Sequence, residues 1–174
     1  MMEKQIKQPV ENDQYLANVE TDKIVQFLTF QLNEEEYGIS ILNIKEIVDY
    51  GHITKVPMVP DFIAGVINLR GSVVPVVDLS LRFSEAPSAK TKRSSIVILE
   101  VEYESKKMGI GVTVDVVNEV LDISPKEIEV TPSFGTKIRT DFISGMGKVE
   151  GQLLVLLNIE KILDIDELST VDSL

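Results

Sequence analysis

The chain contains no cysteine, no tryptophan and a single histidine, His52. Without cysteine there is no disulfide framework, thiol nucleophile or thiolate metal site, a usage that fits an intracellular protein. One histidine leaves oxygen ligands alone for a cation, and no DxDxDG-type calcium loop is present. No apolar run approaches the roughly 20 residues that span a bilayer. The opening MMEKQIKQPVENDQ lacks the apolar segment of a signal peptide. Positive charge is also scarce. Seventeen Lys and Arg face 28 Asp and Glu, for a net charge of −11, which argues against a nucleic-acid backbone or an anionic membrane as principal partner. What remains is ordinary globular material, 174 residues with 44% hydrophobic and 26% charged, enough for one domain or two very small ones.

The stretch FIAGVINLRGSVVPVVDL, Phe62 to Leu79, organises the rest. Two β-branched runs separated by Arg70-Gly71 read as a tight antiparallel hairpin, with Gly71 free to take φ > 0. An arginine at the mouth of so apolar a hairpin is its unusual feature. The pattern returns 80 residues later (142 − 62) as FISGMGKVEGQLLVLLNI, Phe142 to Ile159. GISILNIKEIVD, Gly38 to Asp49, is likewise echoed by GVTVDVVNEVLD, Gly111 to Asp122. These matches predict a two-fold internal repeat.

In chain order, residues 1–22 read as a mobile polar arm. Residues 23–165 form one domain: a first repeat over 23–83, an exposed connection SEAPSAKTKRS over 84–94, and a second repeat over 95–165. Residues 166–174 are an acidic tail that frays. The first strand is IVQFLTFQL, apolar on both faces, followed by a turn at Asn33 to Glu36 and a return strand from Tyr37. Ser40 is placed to cap a short helix carrying Ile41, Ile44, Ile47 and Val48 on one face. Gly51 to Pro60 reads as an extended strand ending in a loop, and Asp78 as the cap of a brief helical turn. The second repeat opens with SIVILEVEYE and a Lys106-Lys107 turn; the whole turn Glu104 to Ile110 is long and charged. Pro125 and Pro132 bracket another extended piece, and Asn158 caps a terminal helix IEKILDIDEL. Each half thus offers about five short strands, the signature of a small barrel or sandwich, and two such units packed together leave an apolar groove at their junction.

An enzyme reading would draw an acid/base pair from Asp78, Asp115 and Asp122. Asp78 and Asp122 recur in the repeat, however, and Tyr, Lys and His52 form no recognisable nucleophile–base set. A small-molecule or cation-binding double-barrel sensor is the other alternative.

NLRG at Asn68 to Gly71 followed by VVPVVDL, EEYGI at Glu35 to Ile39 and IKEI at Ile44 to Ile47 together resemble the CheW family of chemotaxis coupling proteins, over Ile24 to about Asp164. The resemblance implies a mainly β fold, two five-stranded SH3-like barrels with intertwined ends and short helices, one of them C-terminal. It implies a non-catalytic cytoplasmic scaffold without cofactor or metal, which links transmembrane chemoreceptors to the histidine kinase CheA in membrane-associated arrays. The absence of an attached module sets it apart from the receiver-bearing couplers and the kinase. The resemblance places the receptor's hairpin tip against Ile44, Glu46, Ile47, Gly65, Asn68 and Arg70. It places the kinase's regulatory domain against Val97, Ile110, Gly111 and Val120. The repeat offers an independent criterion, because a residue that the fold demands recurs in both copies. Arg70 meets Glu150, a charge reversal, and Asn68 meets Lys148. Glu46 meets Glu119, Gly65 meets Gly145, and Ile44 and Ile47 meet Val117 and Val120.

Overall fold

Four tight turns set the architecture, which the computed structural model describes for residues 23–87, 89–131 and 135–169. Asn33-Glu34 joins β1 (Val25–Leu32) to β2 (Glu35–Ser40), and Glu104-Ser105 joins β6 (Ser95–Tyr103) to β7 (Lys106–Val114). In both, the two turn residues have positive φ, between 51° and 68°, which matches the twist of the flanking strands. Arg70-Gly71 joins β4 (Ile63–Leu69) to β5 (Ser72–Val77), and Glu150-Gly151 joins β10 (Ile143–Val149) to β11 (Gln152–Leu157). The expected long turn at Glu104 to Ile110 is therefore two residues. The strands themselves are long, with Tyr103 paired to Lys106.

The segment expected to be a helix after Ser40 is a strand. Ser40 does cap, accepting from the Leu42 amide at 3.2 Å, but only a 3-10 turn, Ile41–Asn43, follows. β3 (Ile44–Asp49) then pairs with β6. A bulge at Lys45 breaks the two-residue alternation, so the apolar spacing imitates a helix while the β-branched residues lie in a ladder. Residues 51–60 are irregular, apart from a bridge in which Thr54 and Val66 exchange backbone hydrogen bonds at 2.8 and 2.9 Å. Pro57 and Pro60 have no N–H to offer a ladder. β8 (Val116–Ile123), a capped turn at Pro125–Glu127 and β9 (Ile128–Glu129) complete the strands; Pro132 lies outside the described residues, as does the arm.

The sheets join strands across the repeat. One has the order β8-β1-β2-β11-β10-β9, the other β3-β6-β7-β5-β4. The first hairpin of each repeat has thus crossed to the other, and neither sequence half makes a barrel from its own strands. The parallel seams are β2–β11 and β5–β7. In the second sheet Val48 from one edge strand and Ile67 and Leu69 from the other pack on the same Val74, Val76, Ile96 and Ile98, so the sheet curls into a barrel. The first barrel closes likewise on Phe27, Ile123, Leu154 and Leu156.

Four buried residues per barrel make a thin interior. The larger cluster lies between the barrels, with twenty-two buried residues. Strand alternation feeds both: Phe27 points into the first barrel while Leu28, Phe30 and Leu32 point between the two. Ile96 and Ile98 fill the second barrel while Val97, Leu99 and Val101 face its neighbour. At roughly 1.5–3 kcal/mol per buried large apolar side chain, the shared layer outweighs either barrel's own core.

The helices lock this layer. Asp78 accepts from the Leu81 amide at 3.2 Å and caps α1 (Leu79–Arg82); Asn158 caps α2 (Ile159–Ile162) through the Lys161 amide at 3.3 Å. The terminal helix is broken, since Asp164 starts a separate α3 (Ile165–Leu168). Its acidic end does not fray as far as Leu168, which is buried. Glu167 accepts from Arg82 at 2.6 Å and from Arg139 at 3.1 Å, and the Tyr103 hydroxyl donates to Asp166 at 3.1 Å. Arg82, its side chain 5% exposed, also donates to the Ile162 and Lys161 carbonyls at 2.7 and 3.3 Å. Its guanidinium lies 4.9 Å from the Phe62 ring and 4.7 Å from that of Phe142. These phenylalanines occupy the same place in the two repeats.

Candidate functional site

The β4–β5 turn presents Arg70 with φ 51°. Asn68 closes the turn by accepting from the Gly71 amide at 2.8 Å, so its side chain serves the conformation that aims the arginine. Arg70 donates through both terminal nitrogens to Glu46, at 3.2 Å to Oε1 and closer still to Oε2. The hydrogen bond from Arg70 holds the Glu46 carboxyl below its usual range and raises the arginine in return. The pair bridges the hairpin tip to β3, yet Arg70 remains 69% exposed along its side chain. An exposed ion pair adds little stability, so its fixed, planar array of donors and acceptors is more informative as a recognition element.

Beside the pair, Val73 just after the turn is an exposed apolar side chain; Ile47 is exposed as well, on the opposite face of β3 from Glu46. A depression of about 390 Å³ lies beside Arg70 and Val73, lined also by Lys45, Leu69 and Met108. Ile44 is half-buried against the shared layer. Gly65 is buried, with φ 146°; a Cβ there would sit 2.2 Å from the Thr54 carbonyl oxygen. Glu46, Asn68 and Arg70 thus form the surface, Ile47 is exposed on the other face of β3, and Ile44 and Gly65 are set beneath. Sequence reasoning missed Val73 and Lys45. Val73 carried a signal, since its position alternates with the buried Val74 and Val76.

The other four predicted residues do not share a surface. Val97 and Ile110 are fully buried between the barrels. Gly111 lies in the β5–β7 seam, where a Cβ would come within 2.7 Å of Ile96. Val120 is exposed on β8, the edge of the six-stranded sheet. Val97 is the cross-strand partner of Ile47, so it supports the exposed strand from within.

The candidate carboxylates have local structural tasks. Asp78 caps α1, Asp115 accepts from the Asn33 amide at 2.8 Å, and Asp122 accepts from Gln26 at 3.1 Å. A cavity of about 560 Å³ is lined by Tyr50, His52, Lys55, Asp61, Asp78 and Lys90 among others, and by neither Asp115 nor Asp122. Among the described residues, no group of three or more His, Cys, Asp or Glu side chains is placed to hold a metal ion.

Residues 26–167 match the CheW-like domain family. The chain belongs to that family. The chemotaxis protein CheW of Klebsiella aerogenes is 35% identical over 148 residues, 85% of this chain and 87% of its own length. That of Treponema pallidum is 32% identical, covering 88% of this chain and 90% of its own length. In three dimensions the fold is similar to the crystal structure of scaffolding protein TtCheW from Thermoanaerobacter tengcongensis. That likeness has a TM-score of 0.74 and 34% identity over 85% of this chain and 93% of the other. The mainly β fold anticipated for the family, with its short helices, is the one observed. Among the described residues no helix is long and apolar enough to cross a membrane.

Proposed function

We propose that this protein is a non-catalytic chemotaxis scaffold that couples transmembrane chemoreceptors to the histidine kinase CheA, in the cytoplasm and at membrane arrays. The receptor's hairpin tip docks on the second barrel, with Arg70, Glu46 and Ile47 as contacts, Asn68 shaping the turn, and Ile44 and Gly65 setting the strands beneath. The kinase's regulatory domain docks through the surface at Val120 on β8, while Val97, Ile110 and Gly111 act from the other sheet, where they hold β6 and β7 in place.

The observation that carries the receptor assignment is the exposed, two-pronged Arg70–Glu46 pair on a turn whose repeat copy bears glutamate. Glu150 occupies its turn at φ 49°, so Arg70→Glu is compatible with the backbone. At a desolvated contact, reversing the charge costs about tenfold or more in affinity. Receptor affinity of Arg70→Glu is expected to fall by at least that factor, with thermal unfolding and CheA affinity unchanged. A parallel fall of all three would make Arg70 a structural residue. No change in any would place the receptor elsewhere.

A further inference from the structure

We propose that Glu150 is a specificity residue: it keeps the first barrel from accepting the partner that the second barrel takes at Arg70. This rests on the receptor assignment above.

The two barrels present the same surface twice. The turns Arg70-Gly71 and Glu150-Gly151 have φ of 51° and 90° against 49° and 80°. β4–β5 and β10–β11 share their register, each with an irregularity just before the glycine, Gly65 or Gly145. Edge strands β3 and β8 place Glu46 and Glu119 at equivalent bulges. The apolar contacts recur as well. Ile47 and Val120 are 42% and 48% exposed, Val73 and Leu153 70% and 61%. A depression of about 390 Å³ beside Arg70 has a counterpart of about 340 Å³ beside Glu150.

Charge is what separates them. Lys45, Arg70 and Gly109 in one lining correspond to Asn118, Glu150 and Glu36 in the other copy, so the second depression is lined by Glu36, Glu119 and Glu150 and by no cation. Asn118 donates to Glu36 at 2.8 Å. Lys148, the residue in the place of Asn68, is engaged by Glu129 at 2.5 Å. A partner that docks by apolar contact plus an arginine fork therefore meets, on the first barrel, matching apolar groups and the wrong sign. Discrimination between two similar surfaces by like-charge repulsion is an economical route to specificity. Glu150→Arg would set an arginine opposite Glu119 in the geometry that Arg70 has opposite Glu46.

The test is the number of soluble receptor-hairpin fragments bound per chain, read by titration calorimetry on full-length variants with thermal unfolding as the fold check. One is expected for the natural chain, none for Arg70→Glu, two for Glu150→Arg and one for the double variant. One site in Glu150→Arg and none in the double variant, with unfolding unchanged, would overturn the proposal and leave the receptor assignment standing. Natural binding by Arg70→Glu would overturn both. Should Glu150→Arg not fold, replacing residues 149–152 by the natural tetrapeptide of residues 69–72 makes the same measurement, with the same two outcomes deciding.

Discussion

Arg82→Met tests whether the joint between the barrels is as strong as its geometry implies. Methionine keeps the apolar stem between Phe62 and Phe142 and removes the guanidinium. Two backbone carbonyls, Ile162 at 2.7 Å and Lys161 at 3.3 Å, then lose their donor. An unsatisfied buried acceptor costs about 1–3 kcal/mol, and the lost ring contacts about 0.5–2 kcal/mol. Glu167 keeps Arg139 at 3.1 Å, which limits its share. Because the Glu167 side chain is 40% exposed, loss of the ion pair itself adds little beyond these pieces. We expect a loss of about 4 kcal/mol, which for a chain of this size lowers Tm by about 8–16 °C. Differential scanning calorimetry at fixed pH and protein concentration reads it directly. Arg82→Lys should recover only part, because one ammonium cannot serve acceptors spread over a planar fork. A fall below about 3 °C for Arg82→Met would show that water replaces the guanidinium and that the joint is held by apolar packing alone.

Burial, reinforced by Glu85 and then Glu35, pushes the Tyr37 phenol up to about 12. Its folded value lies above the unfolded value of about 10, so this part of the stability is complete below about pH 10 and is lost as pH rises through about 12. The tyrosinate absorbance removed by Tyr37→Phe should therefore titrate near 12, and titration near 10 would contradict the packing. A fragment ending at Ser94 retains β1–β5 but lacks β6, β7, β8 and β11. It should aggregate or remain molten by fluorescence and calorimetry, and a soluble, cooperatively unfolding fragment would show the exchanged strands to be dispensable.

Local chemistry was readable in the sequence. The Gly71 and Gly151 turns and the Asp78 and Asn158 caps each depend on residues close together in the chain, and each is observed. Long-range choices were not readable. Both copies of the first hairpin present similar strand edges, so the pattern is the same whether a hairpin pairs with its own repeat or with the other. Around Ile44 a single bulged residue shifted the alternation enough to imitate helical spacing. Val97 and Ile110 read equally well as surface or interior, because a strand covered on both faces has no polar side to betray its orientation. Arg82 adjoins a polar connection, and nothing in its local sequence marks it as the buried guanidinium between two repeat-related rings. The charge reversal from Arg70 to Glu150 was readable, since one position differed where its neighbours agreed.

The exchange of hairpins also fixes a timetable. β1 is synthesised early, yet its outer neighbour is β8, with Val25 opposite Ile123. β2 waits for β11, with Tyr37 opposite Val155. At about 5–20 residues per second on the ribosome, the first hairpin spends roughly 4–17 seconds with both edges unpaired before β8 is complete. During that interval Phe27, Phe30 and Leu32 have neither barrel interior nor shared layer to enter. The nascent chain is thus a natural client for holding factors, and its yield in the cell should depend more on elongation rate than the finished protein's stability would suggest.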